Sequence, residues 1–114
     1  MSSRIPNYVR SHRRRWHLSQ RELAFLLGLS SQAVISQHES FSRLPQTKAL
    51  IKYEVLFGEA ISELFPKLRR QAELEIAGQA RIILRRLEGR SDKIATRKRE
   101  LLTNLIQRLD ASSP

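Results

Sequence analysis

Four residues in one short stretch carry side chains able to read a hydrogen-bonding surface: Ser31, Gln32, Ser36 and Gln37. Hydroxyls and amides both donate and accept. Residues four apart sit one helical turn apart, so these positions share a face while Ile35, and on a broader reading Val34, point the other way. A planar glutamine amide can accept from the amino group of an adenine and donate to its N7, which is the chemistry of base edges in the major groove. The alternative is an ordinary polar helix face, where glutamine is common.

The second available chemistry is charge. Arg10, Arg14 and Arg15 project from a segment without acids. Phosphate neutralisation is one reading and a solvated helix face is the other. Other chemistries find no residues to carry them. The chain has no cysteine, which excludes disulfides, thiolate metal sites and a Cys nucleophile. His12, His17 and His38 lack metal-ligand spacing with a fourth partner. His38 fits a satisfied, semi-buried residue better, and no metal or cofactor is expected. No acid pairs with a Ser or His in a catalytic pattern, no Gly-rich phosphate loop exists, and no enzyme is expected.

The elements that must hold these side chains read as helices divided by short breakers, with no period-two alternation. A first helix is expected over about 7–16, with Asn7 as its cap and Trp16 packing at its end. A second opens at Ser19, where Glu22 three positions on completes a capping box, and stops at Gly28. Ser30 or Ser31 caps a third, over about 32–39. Helix 4 is expected over about 46–57, with Leu50, Ile51, Val55 and Leu56 as apolar candidates. A short fifth spans about 60–65, and Pro66 closes the unit. Beyond it, Leu68, Ala72, Ile76, Ala80, Ile83 and Leu87 form one apolar stripe over 67–88. Gly89 breaks that helix. Ser91 or Asp92 caps a last one through about Leu109, which gives a helical hairpin.

Composition agrees with a small folded domain. The 114 residues are 40% hydrophobic, with four Gly and four Pro, and no apolar run approaches a membrane span. Lys and Arg number 21 against 11 Asp and Glu, a net charge of +10. The isoelectric point is about 11.2, a footprint of polyanion binding. The excess is segregated: residues 1–17 carry +5, residues 18–66 carry −1 and residues 67–114 carry +6. The Arg- and Ser-rich start also fits a transit peptide, but its arginines lead straight into a folded-looking segment.

Leu18 to Ser30, then Ile35-Ser36-Gln37-His38-Glu39, then Arg43-Leu44-Pro45 resemble the Cro/lambda-repressor-like (XRE) helix-turn-helix proteins of bacteria and phages. The likeness covers roughly residues 8–66. One extra residue lies between Gly28 and Glu39, His38 replaces the usual aromatic or aliphatic residue, and Ser40-Phe41-Ser42 replaces the usual glycine. The resemblance implies an all-α five-helix domain over 1–66 that binds double-stranded operator DNA, usually as a homodimer, and often represses transcription. It implies that Gln20 meets phosphate at the start of the second helix. It places Ser31, Gln32 and Gln37 at or near base-reading positions, and Arg43 where the loop meets the backbone. It also implies that Arg13 pairs with Glu39.

Residues 67–114 are expected to be a two-helix extension that packs within the chain, dimerises or holds a protein partner. Phe25 and Leu26 make the second helix apolar on more than one face, so that hairpin or its copy is expected to cover them. The expected location is the bacterial cytoplasm, at the nucleoid. An antitoxin-like or adaptor role for the same fold is the alternative function, and a nonspecific RNA or nucleoid binder is a further one.

Overall fold

The computed structural model describes residues 7–112. These form seven helices and no strand: α1 Val9–Arg15, α2 Gln20–Leu26, α3 Gln32–Ser40, α4 Thr47–Phe57, α5 Ile61–Leu64, α6 Pro66–Arg86 and α7 Lys93–Ser112. The chain divides into two compact units between Arg69 and Arg70. The first turn of α6 belongs to the first unit because Leu68 packs on its core.

In the first unit, local chemistry fixes each helix end. Asn7 is buried and works in both directions: its Oδ1 accepts from the Val9 amide at 3.0 Å, and its Nδ2 donates to the His38 carbonyl at 2.8 Å. It therefore caps the start of α1 and ties it to α3. Ser19 and Glu22 form the reciprocal capping box of α2, at 3.0 and 2.9 Å. At the other end Gly28 takes φ +69°. Its amide donates to the Phe25 carbonyl and that of Leu29 to the Ala24 carbonyl, so the helix closes in a Schellman turn. Ser31 caps α3 by accepting from the Ala33 amide at 3.0 Å. The left-handed residue that ends α3 is Phe41, φ +61°, with Ser42 donating back to the Gln37 carbonyl. A non-glycine residue adopts that conformation at a cost of about 1–2 kcal/mol. Partial burial of the Phe41 ring against the core offsets it.

The core gathers Val9, Leu23, Ala24, Leu27, Ile35, Tyr53, Phe57, Leu64 and Phe65. Tyr53 is its hub, with ring centroids 5.8 Å from Phe65 and 5.7 Å from His38. Trp16 packs edge-on against Phe57 at 5.7 Å. Helix 4 turns a different face inward from the one its aliphatic residues suggest. Ala49, Tyr53 and Phe57 are buried, Leu50 and Leu56 flank them, and Ile51 and Val55 are open. Pro66 does not close the unit. It starts α6, where its fixed φ fits and its missing N–H is no loss. Phe25 is 84% exposed and Leu26 50%, so the burial expected of them is absent from the single chain.

In the second unit, Ala77, Ala80, Leu87 and Ala95 are buried. Of the expected stripe, Ala80 and Leu87 are buried, with Ala77 beside them, while Ile76 and Ile83 are open. Gly89 takes φ +80° in the turn. Asp92 accepts from the Ala95 amide at 3.2 Å and holds Arg90 in a two-pronged pair. Arg99 donates to the Leu87 and Arg90 carbonyls, capping the end of α6 from α7.

Candidate nucleic-acid interface

α2 and α3 meet across a turn of five residues, Leu27 to Ser31. At about 100° per residue, the exposed residues Gln32, Ala33, Ser36, Gln37 and Ser40 cover an arc of about 140° on α3. Ile35, His38 and Glu39 fill the opposite arc and are buried. Val34 is half-buried at the border. The structure thus brings Gln32, Ser36 and Gln37 onto one open face. Ser31 is also exposed, at the start of that face, with its hydroxyl oxygen already engaged in capping.

One edge of the face is anchored by Glu39. Its carboxylate is fully enclosed and accepts from four nitrogens on two other helices. Arg13 donates through Nε at 2.5 Å and Nη2 at 3.3 Å, Arg10 through Nε at 3.3 Å, and Gln20 through Nε2 at 3.1 Å. Arg13 also donates to the Leu18 carbonyl at 2.9 Å. Burial alone would raise the pKa of Glu39. The bonds from Arg13, Gln20 and Arg10 outweigh it and hold the carboxyl below its ordinary value. Charge compensation at this depth is what keeps α1, α2 and α3 in fixed register.

Two residues expected at phosphate therefore have a structural bond as well. Gln20 spends one amide hydrogen on Glu39 and keeps a second. Arg10 is half-exposed, with its Nε turned toward Glu39. Arg14, one turn beyond Arg10 on α1, is exposed.

The other edge of the face borders a cleft of about 400 Å³ between the α2–α3 turn and the start of α4. Arg43, Lys48 and Lys52 line it, and no carboxylate does. Lys52 donates to the Leu27 carbonyl at 2.9 Å. Arg43 lies against Gln37, with Nη1 at 3.4 Å from its Oε1. Lys48 and Lys52 escaped the sequence reading. Their spacing of four on α4 is the signal that places them on one side of that helix.

Beneath the face, the His38 ring nitrogen Nδ1 lies 2.8 Å from the Tyr53 hydroxyl. Burial, and then the nearby Arg43 charge, hold His38 below its ordinary pKa, so it stays neutral at neutral pH. Burial and the Glu39 charge push Tyr53 up. On the chain from Asn7 to Ser40 the only acids are Glu22 and Glu39; one caps a helix and the other is enclosed. The open face is thus uncharged, with cations at both margins.

Among the described residues, no group of three or more His, Asp or Glu could hold a metal ion. No helix there is long and apolar enough to cross a membrane. Neither family models, nor curated proteins, nor solved structures provide a match to this chain.

Proposed function

We propose that the protein is a sequence-specific DNA-binding regulator of transcription, with residues 7–66 acting as a five-helix domain of the Cro/lambda-repressor-like kind. The observation that carries this reading is the exposed amide and hydroxyl face of α3, uncharged in itself, with Arg10 at one margin, Arg14 exposed one turn further along α1, and Arg43 and Lys48 on the cleft at the other margin. A major groove admits one helix, and its walls are phosphates. In this reading α3 enters the groove. Gln32, Ser36 and Gln37 meet base edges, with Ser31 at the groove's margin. The cations and the remaining Gln20 amide hydrogen meet the two strands.

Glu39 acts as a positioning residue. It fixes α3 against α1 and α2, so the reading face arrives preformed. Two copies would read two half-sites about 34–36 Å apart. Repression follows where such a site overlaps a promoter, and the bacterial or phage-infected cytoplasm is the setting. The exposed Phe25 favours a second reading, an adaptor that also contacts protein.

Selection of bound sites from random duplexes tests the proposal. A recurring motif, bound at least about 10³-fold more tightly than random DNA, is expected. Recovery of unrelated sequences at uniform affinity would overturn it.

A further inference from the structure

The hairpin unit encloses little bulk of its own. Three of its four buried hydrophobic residues are alanines. Beside that seam run larger side chains that stay open: Ile76 is 53% exposed, Ile83 40% and Leu101 51%. A groove of about 560 Å³ follows the two isoleucines, walled by Ile76, Gln79 and Ile83 on α6 and by Leu102 and Leu105 on α7. Both helices contribute to one apolar face.

This face complements itself. Glu75, Ile76, Gln79, Ile83 and Arg86 occupy an arc of about 100° on α6, next to the seam. Turned end for end about Ala80, Ile76 comes level with Ile83 of a second copy and Glu75 with Arg86, each within about 1.5 Å along the axis. The isoleucines share one edge of the arc and the two charges share the other. A two-fold axis perpendicular to the helices returns each edge to itself, as an isologous interface requires. Neither Glu75 nor Arg86 has an ion-pair partner among the described residues.

We infer that the chain forms a two-fold dimer through this face, with α6 antiparallel to α6 of a second copy. Ile76 packs on Ile83, Glu75 pairs with Arg86 in both directions, and the two hairpins close a four-helix bundle. The inference rests on the proposed function for what the dimer is used for, and on the α6–α7 hairpin alone for how it forms.

Sedimentation equilibrium of the full chain, without DNA and at low salt, tests it. The wild type should be a dimer. Glu75→Arg and Arg86→Glu should each weaken it by about tenfold or more, because each sets like charges face to face twice. The double swap should return to within about threefold of the wild type. Circular dichroism checks that each variant is folded. Should a reversal unfold the hairpin, Glu75→Gln supplies the same test, with about threefold weakening expected. A monomeric wild type, a dimer indifferent to these changes, or a double swap no tighter than the weaker single variant would overturn the inference. Gln37→Ala should leave sedimentation unchanged. A monomer that still selects a DNA motif would contradict this interface and spare the DNA reading. A charge-swappable dimer that selects none would do the reverse.

Discussion

Glu39 shows how one residue can govern a site without touching what the site binds. Its carboxylate is enclosed and shared among Arg13, Arg10 and Gln20. Removing one member of a buried pair leaves the other charge uncompensated. Glu39→Ala should therefore lower unfolding stability by about 3–5 kcal/mol, measured by urea denaturation. An effect below about 1 kcal/mol would mean that the cluster is as solvated as a surface pair.

Two groups here also make stability depend on pH. His38 has a lowered pKa in the folded chain against an ordinary value of 6.5, so the unfolded chain binds its proton first. Stability should fall as pH drops through 6.5 toward the lowered folded-state value, and His38→Gln should flatten that limb. Glu39 is also lowered, from 4.5, and adds a separate loss only below that value. At this scale the Arg13–Glu39 pair was legible through the family resemblance. The additional bonds from Arg10 and Gln20 were not, because sequence gives a donor's type but not which acceptor its rotamer reaches.

At the scale of elements, helix ends were easier to read than helix faces. The Ser19 and Glu22 box and the Gly28 stop follow from local chemistry, and both stand in the structure. Gly28→Ala should cost about 1–2 kcal/mol through its left-handed φ. Its added carbon would also press on the Lys52 ammonium, at 3.2 Å. Thermal unfolding measures the loss, and the DNA motif selected should not change. A neutral substitution would show that the turn relaxes into another geometry. Faces misled where apolar residues encircle a helix. In α4 aliphatic residues point several ways, and the aromatic pair Tyr53 and Phe57 decides the inward side. In α6 two stripes run side by side, and Ala77 and Ala80 allow close approach while the isoleucines are left out. Phe41 carries a glycine's conformation, which no residue-type rule signals.

For the whole molecule, charge and its segregation were legible from composition, and the division into two units from the change in helix length. The structure puts the division inside α6, since a continuous helix can serve two cores. The net charge of +10 predicts steep salt dependence of DNA affinity. Arg14→Ala, Arg43→Ala and Lys48→Ala should each weaken all sequences alike and flatten the plot of log K against log salt by about 0.9. Unchanged slopes would remove these residues from the phosphate contacts.

The most direct measurement compares Gln37→Ala with Arg14→Ala on the selected site and on its single-base variants. Titrations at fixed salt give each affinity. Gln37→Ala should erase about 1–3 kcal/mol of discrimination at one base pair and leave the other positions intact. Arg14→Ala should lower every affinity by a common factor. Discrimination that survives Gln37→Ala together with variants of Gln32 and Ser36, at every position, would contradict the assignment of α3 as the reading helix.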